Sequence, residues 1–219
     1  MSLWIKICGN TSLADALLAA EAGANAVGFV FAPSPRRVTA AQVAGITPHL
    51  PAEIEKIGVF VDAEFAEIAG TVEQAGLTGV QLHAGGYGDL AKRVRDRFGP
   101  DLRLLQVIHF GADAAAELRA ASANPHIDGI LVDSRTATAV GGTGVAFDWE
   151  EAREAIFSPD KAIRLVAAGG LNPANVAQAI EILRPWGVDV VSGVESAPGR
   201  KDPRKVAEFV ANARGAIGG

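Results

Sequence analysis

Short apolar runs of strand length alternate with longer runs of helix length from one end of this chain to the other. The strand-like runs read approximately as Trp4–Cys8, Ala26–Phe31, Lys56–Val61, Gly79–His83, Arg103–Ile108, Gly129–Asp133, Arg164–Ala168 and Asp189–Gly193. The helix-like runs read approximately as Ser12–Ala22, Thr39–His49, Ala63–Gln74, Tyr87–Phe98, Ala112–Ala121, Asp148–Phe157, Pro173–Leu183 and Pro203–Arg214. Helix punctuation agrees. Thr11 or Ser12 precedes the first helix and Gly23 follows it, Gly76 follows the third, Gly99-Pro100 the fourth, and Asp202-Pro203 opens the last. Eight such units in 219 residues, with no linker between them, match a closed (β/α)8 TIM barrel better than an open doubly wound sheet. Several strands are near-continuous apolar runs, as expected of parallel strands covered on one side and packed in the barrel on the other. No G-x-G-x-x-G follows the first strand, which counts against a dinucleotide-binding fold. The expectation is one α/β domain over residues 1–219, with its chemistry at the C-terminal strand ends.

Composition narrows the partners. A chain 49% hydrophobic and 21% charged suits a substantial core. The net charge is −5 and the basic residues are scattered, so no nucleic-acid partner is expected. The longest apolar runs, such as Ala26 to Ala32, fall far short of the roughly 20 residues that span a bilayer, so no membrane partner is expected either. The N-terminus lacks a charged leader before a long apolar stretch, and a cytoplasmic protein is expected. The single cysteine, Cys8, excludes an intramolecular disulfide and any multi-cysteine metal site. No long apolar stripe suggests an obligate interface; a monomer is expected, with a homodimer the alternative.

The strand ends carry the candidate chemistry. With period 2, Lys6 and Cys8 share the face opposite Ile5 and Ile7 and turn toward the barrel axis. A lone cysteine is commonly a small buried hydrophobe. Its place at a strand end beside Lys6 and Gly9 favours a general base instead, the ammonium lowering the thiol pKa toward the working pH. After strand 2, Arg36 or Arg37 on a proline-stiffened loop can pair with an anionic substrate group, although surface loops often carry arginine. Gln81 and His83 share the inward face of strand 4, as a polar layer beneath the site or as substrate contacts. Asp62 and His109 also stand at strand ends, with simpler readings as a helix cap and a loop residue. Asp133 is aimed inward at the end of strand 6, where a carboxyl partly removed from water can act as a general acid; the alternative is an aspartate that only hydrogen-bonds its loop. Gly169 and Gly170 after strand 7, Ser192 and Gly193 at the end of strand 8, and Gly142, Thr143 and Gly144 in the loop after strand 6 form three glycine loops able to hold a phosphate through backbone N–H groups. Asn172-Pro173 reads as the cap and first residue of helix 7. A small phosphorylated substrate is expected.

Together these residues resemble the N-(5'-phosphoribosyl)anthranilate isomerase family. The resemblance rests on Lys6-Ile-Cys-Gly9, Gly28-Phe-Val-Phe31 with Ser34-Pro-Arg36, Gly58-Val-Phe-Val-Asp62, Val80-Gln-Leu-His83, Val132-Asp133, Gly141-Gly-Thr-Gly144, Ala168-Gly-Gly-Leu-Asn172 and Asp189-Val-Val-Ser-Gly-Val-Glu195, and runs on to Pro198-Gly-Arg-Lys-Asp202. It implies an Amadori rearrangement of a phosphoribosylated anthranilate in tryptophan biosynthesis, with no metal or organic cofactor. It further implies Asp133 as general acid, Cys8 as general base, Arg36 on the anthranilate carboxylate and the glycine loops on the phosphate. Asn10 departs from the pattern, standing where an aliphatic residue commonly follows Cys-Gly, and Ala84 replaces a glycine. The alternatives are a related histidine-biosynthesis or bifunctional isomerase, which predicts a carboxylate at the end of strand 1, and a non-catalytic phosphosugar-binding barrel, which tolerates loss of Cys8 or Asp133.

Overall fold

Alternation along each strand sorts the side chains into two apolar environments. Ile5, Ile7, Val27, Phe29, Val80, Leu82, Ile130 and Val132 join the layer that also holds the helices' buried faces. Their neighbours Trp4, Ala26, Ile57, Leu105, Leu131 and Val166 form a second cluster inside the barrel. The strands that do this are β1 (Trp4–Ile7), β2 (Ala26–Val30), β3 (Glu55–Val61), β4 (Gly79–His83), β5 (Arg103–His109), β6 (Gly129–Asp133), β7 (Arg164–Ala168) and β8 (Gly187–Val190). They pair in parallel in chain order and close through β1 with β8, Trp4 opposite Gly187 and Ile7 opposite Val190. This computed structural model describes residues 3–83, 88–133, 149–157 and 163–216.

The helices α1 (Leu13–Glu21), α2 (Ala40–Ala44), α3 (Phe65–Ala75), α4 (Gly88–Phe98), α5 (Ala114–Ser122), α6 (Trp149–Ala155), α7 (Val176–Leu183) and α8 (Pro203–Gly215) alternate with the strands. Local sequence fixes several ends. Ser12 caps α1 by accepting from the Asp15 N–H, Thr39 and Gln42 form a capping box on α2, and Gly76 ends α3 in the left-handed region at φ 61°. Asp202 caps α8 with Pro203 in its first turn.

Four features differ from the sequence expectation. The second helix stops at Ala44, and Thr47–His49 winds a separate 3-10 turn, because Gly45 and Pro48 break the helical run. Strand β8 begins and ends earlier than its apolar pattern implies: Val191 turns away at φ −120°, ψ −85°, and Ser192–Val194 forms a 3-10 turn. Helix α7 begins at Val176; Asn172 does not cap it but accepts from the Ala174 N–H in a preceding turn. A hairpin of β9 (Glu195–Ala197) and β10 (Arg200–Lys201) precedes α8, where the pattern predicts no strand.

The N-terminal end of the barrel is closed by large side chains. Trp4 stacks on Trp186 at 5.2 Å between centroids, and the Arg103 and Arg164 guanidinium carbons lie 5.4 and 5.0 Å from the Trp186 ring. Arg103 also forks onto Glu55, at 2.5 and 2.8 Å, and the Trp4 indole donates to the same carboxylate at 3.3 Å. Odd-numbered strands supply Trp4, Glu55, Arg103 and Arg164. Glycines on even-numbered strands make room: a Cβ on Gly187 would lie 3.0 Å from Trp4 Cε3, and one on Gly79 2.5 Å from Ile57 Cδ1. No helix among the described residues is long and apolar enough to cross a membrane.

Candidate active site

At the C-terminal end the layering changes from bulk to charge. Cys8 follows β1 directly and Asp133 is the last residue of β6; they are 3% and 5% exposed. The Cys8 N–H donates to the Val190 carbonyl at 2.9 Å, which pins the thiol-bearing residue to β8. Gly28 provides its space, since a Cβ there would lie 2.4 Å from Cys8 Sγ and 3.0 Å from Lys6 Cε.

Lys6 is fully buried and donates to Gln81 Oε1 at 2.7 Å and Asp189 Oδ1 at 2.9 Å. Gln81 Nε2 lies 3.1 Å from His83 Nε2, and the half-buried His83 ring is 6.2 Å from that of His109. Asp189, Lys6, Gln81 and His83 thus form a continuous polar layer from β8 through β1 to β4. His109 ends β5 rather than lying in a loop, and Asp62 sits in the left-handed region at φ 50° without being the residue that caps α3.

The electrostatics correct one expectation. Burial pushes the Cys8 thiol pKa up, and the attraction of Lys6 and Lys201 for the thiolate does not overcome it. Lys6 is not a lone ammonium. Burial alone would lower its pKa, but Asp189, with Cys8, holds it above the ordinary lysine value. Much of its charge is compensated before it reaches the sulfur, and Asp189 itself opposes the thiolate.

Arg36 and Arg37 separate clearly. Arg37 is exposed, whereas Arg36 turns inward and forks onto Glu195, Nε to Oε1 at 2.8 Å and Nη2 to Oε2 at 2.6 Å. These bonds hold the guanidinium pKa above its ordinary value. Burial would raise the Glu195 pKa, but Arg36, Lys201 and the Gly199 N–H keep it below the usual carboxylate value. The fork uses one edge of the guanidinium and leaves Nη1 on the other.

The glycine loops after β7 and β8 form one wall. Gly169 and Gly170 adopt φ 84° and 67°. A Cβ on Gly193 would sit 1.9 Å from the Leu171 carbonyl oxygen, so the two loops touch and only glycine fits the contact. Asp133, Gly169, Gly170, Asp189, Ser192 and Gly193 line one open pocket. Gly142, Thr143 and Gly144 lie outside the described residues. Among the described residues no three His, Cys, Asp or Glu side chains gather as a metal site.

Residues 5–212 match the family model for N-(5'phosphoribosyl)anthranilate (PRA) isomerase. The chain belongs to this family. A relative from Trichlorobacter lovleyi named N-(5'-phosphoribosyl)anthranilate isomerase is 43% identical over 215 residues, 97% of this chain and 98% of the relative. The crystal structure of phosphoribosyl anthranilate isomerase from Thermotoga maritima matches with a TM-score of 0.85 at 35% identity, over 97% of this chain and 99% of that one. A phosphoribosyl anthranilate isomerase crystallised with reduced 1-(o-carboxyphenylamino)-1-deoxyribulose 5-phosphate matches with a TM-score of 0.82 at 34% identity, again over 97% and 99%.

Within this phosphoribosylanthranilate isomerase family frame, three charged residues of the site lie outside the strand-end candidates: Asp189, Glu195 and Lys201. Asp189 has a local signal, as the acid on the inward face of an otherwise apolar strand. For Glu195 and Lys201 the available signal was Pro198-Gly199, a turn dipeptide between two short polar segments. Asn10, the departure from the family pattern, is fully buried and donates from Nδ2 to the carbonyls of Ile7 at 2.8 Å and Gly28 at 3.2 Å. Its Oδ1 has no hydrogen-bond partner among the described residues.

Proposed function

We propose that the protein converts N-(5-phosphoribosyl)anthranilate to 1-(o-carboxyphenylamino)-1-deoxyribulose 5-phosphate, a step of L-tryptophan biosynthesis, by general acid–base catalysis. One observation carries the reading. A buried thiol at the end of β1 and a buried carboxyl at the end of β6 share a barrel mouth with two touching glycine loops beside the carboxyl.

Asp133 as its acid donates a proton to the furanose ring oxygen, and the bond from that oxygen to C1' breaks to leave a protonated Schiff base. Cys8 as thiolate then removes the C2' proton, and the electron pair moves to give an enolamine that tautomerises to the ketone. Only protons move and no oxidant or metal is required. A thiol held up by burial is reluctant to ionise, but once ionised it is the stronger base, and the adjacent iminium adds a cation to those of Lys6 and Lys201.

The same reading assigns the remaining residues. The Nη1 edge of Arg36 takes the anthranilate carboxylate while Glu195 holds the other edge. Backbone N–H groups of Gly169, Gly170, Ser192 and Gly193, with Gly142, Thr143 and Gly144, take the phosphate. Lys6 and Gln81 form the floor beneath the substrate, and His83 is the member of that layer that reaches the mouth.

Steady-state turnover of freshly made phosphoribosylanthranilate, followed by its loss of fluorescence, tests the proposal. Cys8→Ser and Asp133→Asn should each lower kcat by about 10² to 10⁴. An inactive wild type, or both variants turning over at the wild-type rate, refutes the reading.

A further inference from the structure

The hairpin between β8 and α8 lies outside the barrel sheet, yet it turns two charged side chains into the site. The Lys201 side chain is fully buried. Its ammonium donates to the main-chain carbonyl of Cys8 at 2.5 Å and of Val191 at 3.2 Å, and lies 3.4 Å from Glu195 Oε1. A buried ammonium is costly unless acceptors surround it, and these come from the end of β1, the end of β8 and the hairpin itself. Glu195 is nearly as buried, and Arg36 occupies both of its oxygens while the Gly199 N–H adds a bond to Oε1 at 3.2 Å. Gly199 makes this possible by turning the hairpin at φ 78°. One short element thus grips both the residue that carries the thiol and the arginine beside it, whose Cδ would lie 2.8 Å from a Cβ on Gly9.

We propose that this hairpin is a positioning device for the reaction: Lys201 fixes the main chain that aims Cys8, and Glu195 fixes the plane of the Arg36 guanidinium. The inference rests on the acid–base reading of Cys8 and on Arg36 as the carboxylate binder. Neither Lys201 nor Glu195 touches the substrate in it. Their contributions are separable, because one governs proton removal and the other binding. Lys201 also favours the thiolate electrostatically, opposing the burial that disfavours it.

The test compares Lys201→Met and Glu195→Gln with Arg200→Ala, a change to an exposed side chain on the same hairpin. Cys8 is the only cysteine, so the ultraviolet absorbance of the thiolate, read against Cys8→Ser, titrates it alone. Lys201→Met should move that titration to higher pH and lower kcat about 10-fold, with KM changed less than about threefold. Glu195→Gln should raise KM about 10-fold with a smaller effect on kcat. Arg200→Ala should change neither. Should Lys201→Met fail to fold, Lys201→Arg keeps the charge but not the length, and should lower kcat while leaving the titration near wild type. A Lys201 variant matching wild type in titration and kcat, or Glu195→Gln matching Arg200→Ala in KM, overturns the proposal. The titration needs no substrate: a shift in a protein that does not turn over phosphoribosylanthranilate would refute the substrate assignment while upholding the role of Lys201.

Discussion

The two ends of this barrel are both built around charges, and they use them differently. At the N-terminal end, Glu55, Arg103 and Arg164 pack with Trp4 and Trp186, and the charges serve one another and the rings. At the C-terminal end, Lys6 with Asp189, and Arg36 with Glu195 and Lys201, are paired equally well, but their pairing frames Cys8 and Asp133. The charged partners at the bottom are partly exposed, whereas Lys6 and Lys201 are fully buried. Surface-like pairs contribute little when broken; a buried ion left alone is expensive. The difference teaches that the end bearing the candidate site is also where this fold concentrates its electrostatic risk.

The sharpest test is to remove the partner of Lys6. Asp189→Asn leaves a fully buried ammonium with Gln81 and no carboxylate, and should lower unfolding stability by about 3–5 kcal/mol in urea titrations. The pH dependence has a definite sign. The wild-type Lys6 pKa is raised above 10.5, so its stabilisation is fully present below that value and lost as pH rises through the folded pKa. Without Asp189, burial lowers the pKa, and the penalty is full at low and neutral pH and shrinks as the ammonium deprotonates. Wild type and variant should therefore differ most at neutral pH and converge in alkali. A constant difference across that range would show that Asp189 acts through packing and not charge.

The N-terminal end should respond more mildly and without touching chemistry. Trp186→Ala removes the partner of Trp4 and the ring beneath two arginines, and should cost about 2–3 kcal/mol because the indole is only half-buried. Glu55→Gln weakens a partly exposed pair and should cost about 1 kcal/mol. Both should keep kcat/KM within about twofold of wild type, the bottom of such a barrel serving stability. Loss of turnover beyond loss of folded protein would break the division between the ends.

How much of this was legible in the sequence depends on the range of the interaction. Strand alternation is local, and it puts Lys6 and Gln81 on the inward faces of β1 and β4 and Asp133 at the end of β6, with glycine loops following β7 and β8. Helix α2 and strand β8 depart from their patterns where Pro48 and the turn at Val191 override an apolar run. The ion pairs were not legible at all. Lys6 and Asp189 are 183 residues apart, Arg36 and Glu195 159, and no local pattern encodes which acid a distant strand brings to a base. For the same reason alternation sets the Lys6 ammonium beside Cys8 but not the Asp189 carboxylate that the closed barrel brings to it.

Asn10 gives the smallest effect and the finest discrimination. Its amide nitrogen ties the Ile7 and Gly28 carbonyls together next to the Cys8-Gly9 pair, while its Oδ1 is buried without a partner among the described residues. The two hydrogen bonds contribute about 1 kcal/mol each, and the orphaned oxygen costs about 1–3 kcal/mol. The terms nearly cancel. Asn10→Leu removes both, keeping a branched side chain of four heavy atoms, and should change stability by no more than about 1 kcal/mol. Asn10→Asp should be far worse, because it keeps the buried oxygen, loses the donor to two carbonyls and brings an acid beside the thiol. Urea unfolding of the two variants, with thiolate titration of Asn10→Leu, separates the effects. A large loss in Asn10→Leu with an altered titration would mean that the amide aims Cys8, and that the proposed positioning of this thiol extends from the hairpin into the β1–β2 seam.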